Sequence, residues 1–251
     1  MSDSRWNTAP RGYAGQAAAV DAGLRAYMIR VYNYMAAAVA LTGVVAYATF
    51  NAAVTTDAAG KIIGLTAFGQ SIFSGPALIV LLLGTLGLVF FISFRIQSLQ
   101  YTTALGLFML YAALIGVTTS SIFLVYTGAS ITRVFFVSAA SFGALSLYGY
   151  TTQRDLSPMG SFLMMGLFGI IIASLVNIFL HSSGLQWVIS VIGVGIFAGL
   201  TAYDTQRIKE MYSSMDDDGT LGRKAVMGAL SLYLDFINLF MMLLRLVGDR
   251  R

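Results

Sequence analysis

The chain has 251 residues and a formal net charge of +4; 57% of its residues are hydrophobic and 10% charged. Ordinary soluble domains carry roughly 25% charged residues, so a chain this poor in charge cannot cover a water-facing surface and must have lipid as its solvent. The absence of cysteine excludes disulfides, thiolate metal sites and thiol catalysis. No basic face with reading side chains is present, which excludes nucleic acid as a partner.

Residues 1–26 are polar and rich in Ala and Gly, with no short apolar core followed by a cleavage site. They read as a polar cytoplasmic tail ahead of an uncleaved first span. A spanning helix needs about 20 mostly apolar residues. Seven stretches qualify, at 27–50, 77–94, 101–125, 131–150, 161–180, 185–206 and 228–247. Their apolar runs are continuous rather than alternating, which argues against a β-barrel. The expected fold is an all-α membrane protein, a seven-transmembrane-helix bundle over 27–248 with a short C-terminal tail at 249–251.

Positive charge predicts the orientation. Arg5, Arg11 and Arg25 precede the first span, and the joins after spans two, four and six hold Arg95, Arg154, and Arg207, Lys209, Arg223 and Lys224. The joins after spans one, three and five offer little beyond Lys61, and Arg133 begins span four. Such an asymmetry puts the N-terminus in the cytoplasm, in a bacterial inner (plasma) membrane if the style of the N-terminal tail is bacterial. Seven full crossings then place Arg250 and Arg251 outside, against the rule; a re-entrant seventh segment, or tolerance by the fold, would resolve this. Gly195 and Gly199 have a GxxxG spacing that lets helices approach closely, and generic packing is the favoured reading of them.

Asp204 and Asp235 lie inside apolar stretches, where an ionisable group costs a few kcal/mol even on lenient insertion scales. Span six runs towards the cytoplasm and carries Asp204 just before Arg207; span seven starts there and reaches Asp235 within about 10 Å of helix rise. Arg95, at the cytoplasmic end of span two, shares that layer, so three charges on three helices fall at one depth. Two close carboxyl groups in a low dielectric resist double ionisation and titrate as a coupled unit. Such a pair holds a proton near physiological pH without any histidine, and once ionised it attracts cations; hard oxygen ligands suit calcium. Asn238, three residues after Asp235 and on the same helix face, is a further candidate to contact the ion, since two carboxylates are too few for calcium's usual six to eight ligands. The competing structural reading is an interhelical clamp that fixes packing, and a clamp that releases on protonation is a gate.

Other residues weigh less. His181, the single histidine, reads as interfacial at the outer end of span five, and no HExxH or GxSxG motif is present. Asp216, Asp217 and Asp218 lack the alternating EF-hand spacing and read as a solvated loop. Arg30, Arg133 and Arg245 sit near helix ends, where snorkelling to the interface accounts for them.

Thr-Ala-Tyr-Asp-Thr-Gln at 201–206 and Ser-Leu-Tyr-Leu-Asp-Phe-Ile-Asn-Leu-Phe at 231–240 closely resemble signatures of the Bax inhibitor-1 family, also called the transmembrane Bax inhibitor motif family. Leu-Gly-Leu-Val-Phe-Phe-Ile-Ser-Phe-Arg at 86–95 and Tyr-Gly-Tyr-Thr-Thr-Gln-Arg-Asp-Leu-Ser at 148–157 support the match. The resemblance implies a seven-helix fold with the last helix central, and a pH-sensitive calcium leak channel. In that picture Asp204 and Asp235 form the proton sensor and gate, and the tentative calcium site, while Arg95 is the latch. No cofactor is implied beyond calcium as the permeant ion. The polar stretch Met211–Lys224 is longer than expected of close relatives, and the chain stops soon after span seven, so animal-style control of apoptosis is not carried over.

Two further readings belong to other classes. Some bacterial relatives are associated with a membrane-anchored ATP-dependent protease, which makes a membrane-embedded regulator without transport activity the alternative, its surfaces being the 26-residue tail and the polar loop. A presenilin-like aspartyl protease also uses two membrane aspartates, but no Gly-Leu-Gly-Asp companion surrounds Asp235, so the chain does not read as an enzyme.

Overall fold

The computed structural model describes residues 11–57, 62–73 and 76–251; Arg5 and Lys61 lie outside the described residues. Helix α1 runs Arg11–Ala53 for 43 residues, about 64 Å at 1.5 Å per residue. Its apolar part begins at Val20. The segment expected to be a tail up to residue 26 is therefore helical from Arg11, because residues 14–24 are rich in alanine, the strongest helix former, and no proline follows Pro10 to stop the helix.

An unanticipated element follows: a hairpin of β1 (Val54–Thr56) and β2 (Ile62–Leu65), paired antiparallel with Val54 opposite Leu65, and a short helix α2 (Ala67–Phe73). Helices α3 (Pro76–Arg95), α4 (Tyr101–Thr119), α5 (Ile122–Val125), α6 (Gly128–Thr151), α7 (Ser157–Leu180), α8 (Ser183–Glu210) and α9 (Asp218–Val247) complete the chain. Among the described residues seven helices are long and apolar enough to cross a membrane: α1, α3, α4 with α5, α6, α7, α8 and α9. The break between α4 and α5 coincides with Thr118–Ser121, whose hydroxyls bond back to carbonyls three or four residues earlier and so compete with the helix ladder.

Helix α9 is the centre of the bundle. It packs against α8, α1, α6 and α4, and 61% of its most apolar stretch is buried, against 11% for α3 and α7. Tyr233 is its peg: fully buried, with its hydroxyl 2.7 Å from Thr42 Oγ1 on α1 and its ring edge-on to Phe108 and Tyr111 on α4. Because α9 starts at Asp218, the expected long polar loop shortens to 211–217. Asp217 caps α9, accepting from the Gly219 and Thr220 amides, and Asp216 pairs with Lys224 at 2.6 Å; the acidic run is thus a helix start rather than a solvated loop.

The C-terminus lies with the α4–α6 connection. Arg251 donates through its amide to the Val125 carbonyl and through Nε to the Tyr126 carbonyl, and Asp249 pairs with Arg133. Span seven therefore runs the full bundle, and the terminal arginines are clamped there rather than carried back by a re-entrant turn.

Candidate functional site

The site is built from opposite faces of the two aspartate motifs. On α8, Ala202, Thr205 and Gln206 turn towards α6 and its following loop. Gly149 permits this contact: a Cβ there would lie 2.1 Å from the Ala202 carbonyl. Thr205 Oγ1 is 3.0 Å from Ser146 Oγ, which is itself 2.7 Å from the Tyr32 hydroxyl. Gln206 accepts from the Leu156 amide and donates to the Arg154 carbonyl, both at 2.8 Å. With that face locked, Asp204, Phe197 and Leu200 face the other way.

They face a crevice. Helices α7 and α9 each pack on α8, and a cavity of about 560 Å³ lies between them. Asp204 of α8 lines it together with Ser231, Asp235, Asn238, Met242 and Arg245 of α9 and an apolar wall of α7. The spacing of the α9 set, repeating every three or four residues, is one helix face.

Asp204 and Asp235 line the same crevice and act on each other electrostatically. Two carboxylates supply only acceptors, so a hydrogen bond between them requires one shared proton. Asp235 is 5% exposed, and its Oδ2 has no hydrogen-bond partner among the described residues. Asp204 is half-buried and feels the charge of Arg207 one turn further on. Asn238 Nδ2 donates to the Leu234 carbonyl at 2.8 Å, which leaves Oδ1 as the atom it offers the cavity.

Thus the structure brings together Asp204, Asp235 and Asn238. It does not bring Arg95 to them. Arg95 ends α3, is exposed, has no ion pair among the described residues and does not line the crevice; α3 packs mainly on α4. Charge patterning gives the depth of a residue in the membrane but not its direction around the bundle, and Arg95 shares the depth alone. The cation beside the pair is Arg207, which sequence reasoning used only for topology; its i+3 spacing from Asp204 was the available signal. Sequence reasoning also missed Ser231 as a lining residue and the role of Arg245, whose side chain lines the crevice.

Among the described residues no group of three or more His, Asp or Glu side chains could hold a metal. Oxygen atoms of Asp204, Asp235, Asn238 and Ser231 could contact a passing cation. Outside the spans, Asp217 is held below the usual carboxylate range by the Thr220 hydroxyl and the Thr220 and Gly219 amides, and Asp155 by the Ser157 amide and hydroxyl. His181 caps α7 in the left-handed conformation at φ 47°, which His tolerates better than most residues. Of the GxxxG pair, Gly199 packs closely on Leu163, where a Cβ would lie 2.7 Å from its side chain, while Gly195 has nothing within 4 Å.

Comparison with known proteins agrees with the motifs. The profile of the family described as "Inhibitor of apoptosis-promoting Bax1" matches residues 24–251. The inner membrane protein YbhL of Escherichia coli K12 is 49% identical over 232 residues, covering 92% of this chain and 94% of that protein. An uncharacterized protein of Rickettsia prowazekii, RP147, is also 49% identical, covering 92% of each chain. One from Borreliella burgdorferi is 46% identical, covering 90% of this chain and 92% of its own. With the match running through both aspartate motifs and all seven spans, the chain is a multi-pass integral membrane protein of the Bax inhibitor-1 family.

Proposed function

We propose that the protein is a pH-sensitive passive cation leak of the bacterial inner membrane, calcium first among its ions, with Asp204 and Asp235 as sensor and gate. The observation that carries this reading is the placement of the two acids, on adjacent packed helices, along the wall of one cavity. While the proton is shared, α8 and α9 are held together. Its loss sets two negative charges against each other in a low dielectric, which parts the helices and leaves an oxygen site that attracts cations.

The N-terminal end is assigned to the cytoplasm, because Arg25, Arg95, Arg154, Arg207, Lys209 and Lys224 collect there. The inner membrane assignment draws on the printed name of the Escherichia coli relative. Arg95, the cation at the end of α3, is proposed as a latch engaged in another state.

The test is calcium flux into liposomes containing the purified protein, across roughly pH 5 to 8. Flux above empty liposomes that varies with pH, and that Asp204→Asn and Asp235→Asn both alter, is the expected result. No flux from well-folded protein would refute the leak and leave partner binding through the helical N-terminal extension as the role.

A further inference from the structure

The crevice beside the aspartates continues to the end of the bundle where the C-terminus lies. There it joins a second cavity of about 530 Å³, lined by Asn177, His181, Gln186, Arg245 and Arg250 among others. Ser174, Ile178 and Arg245 line both cavities. Arg245 and Arg250 have no carboxylate partner among the described residues, since Asp249 is taken by Arg133 at 2.8 Å. Asn177 Oδ1 accepts from the Ser182 amide, so its Nδ2 remains to donate. The result is a pocket of donors and positive charge at one end of an apolar channel.

The channel opens towards lipid. Its α7 wall carries Met164, Ile171, Leu175 and Ile178, all exposed, and α7 packs on α8 rather than on α9. Asp235 precedes Arg245 by ten positions, about 15 Å of helix rise, and one leaflet of a hydrocarbon core about 30 Å thick is likewise about 15 Å. A chain anchored at Arg245 therefore ends at Asp235.

We propose that this cavity binds an anionic phospholipid, its phosphate between Arg245 and Arg250 and one acyl chain lying in the α7–α9 crevice over Asp235. Arginine side chains free of carboxylate partners pair with phosphate oxygens, and the charge of the pocket selects an anionic headgroup. The apolar channel is what separates a lipid from a free anion: inorganic phosphate could satisfy the arginines but not fill the crevice. The site rests on the crevice geometry and stands whether or not a cation passes the aspartates.

Native mass spectrometry of the purified full chain, titrated separately with phosphatidylglycerol, phosphatidylcholine and inorganic phosphate, tests this. One phosphatidylglycerol is expected to be retained in clear preference to phosphatidylcholine. The Arg245→Gln, Arg250→Gln double variant should weaken that retention by about thirtyfold, and the corresponding Lys variant should keep most of it. Leu175→Trp fills the crevice without touching a charge and should also weaken it, which keeps the test decisive if the double variant fails to fold. Equal retention of phosphatidylcholine, retention unmoved by either the charge or the crevice variant, or displacement of the lipid by equimolar inorganic phosphate would overturn the proposal.

Discussion

Asp235→Asn separates the shared proton from the contact it makes. In the native pair a hydrogen bond between the two carboxyl groups can form only while one of them is protonated. Two ionised carboxylates about 4 Å apart repel by about 4 kcal/mol at an effective dielectric of about 20. With each 1.36 kcal/mol worth tenfold, ionisation shifts the balance between contact and separation by about a thousandfold. Asparagine at 235 supplies its own Nδ2–H to the Asp204 carboxylate, so the contact persists with no proton and no repulsion. Calcium entry into dye-loaded proteoliposomes should then stay at its acid-side level across roughly pH 5 to 8, and Asp204→Asn should do the same from the other side. Retention of the native pH profile by both variants would refute the sensor; high flux from both at every pH would show that this hydrogen bond is not what holds the helices together.

Tyr233→Phe removes the hydroxyl bonded to Thr42 and leaves the aromatic packing, so stability in micelles should fall by about 1 kcal/mol. Gly149→Val forces α6 away from the Ala202 carbonyl, costing about 1–3 kcal/mol and displacing the turn that bears Asp204; thermal unfolding and acid-side flux should both change, whereas Gly195→Ala, with open space around it, should leave flux unchanged and, as a helix-interior glycine replaced by alanine, should not lower stability. Asp217→Ala should speed amide exchange in the first turn of α9. Because the Asp217 carboxyl is held below its usual range by Thr220, its stabilisation is present above the unfolded value of about 3.9 and is lost as pH falls through the folded value, so wild type and variant should converge in acid below about pH 4.

The spans were legible because hydropathy over about 20 residues integrates many small transfer terms, and errors at single positions cancel. The same averaging hides what is short or polar. The hairpin at 54–65 and helix α2 have too few residues to register, and α9 was started at 228 because Gly219, Arg223 and Lys224 suspend the apolar pattern without stopping the helix. The Asp217 N-cap was visible as a residue type but looked like part of a charge run. The aspartates were legible for a different reason: a charge in an apolar run is a local violation, and such violations mark sites. Arg95 looked equivalent because sequence order and orientation place it at the same depth. Only the crevice itself, lined by both aspartates and not by Arg95, separates them.

Arg207 completes the charge count. With the proton shared, Asp204 and Asp235 carry one negative charge between them, and Arg207, one turn beyond Asp204, balances it. A neutral cluster has little to offer a cation and tolerates a low dielectric. Losing the proton leaves a net charge of minus one, which draws a divalent ion about twice as strongly as a monovalent one. Arg207 is exposed, so its influence on an ion at the pair is screened to about 1 kcal/mol, about fivefold in occupancy. Arg207→Gln should therefore raise the ratio of calcium to sodium flux on the alkaline side by about that factor, while leaving the acid side, where the proton already holds the pair, little changed. A variant with unaltered selectivity and a reversed or mixed topology by protease accessibility would assign Arg207 to orientation alone.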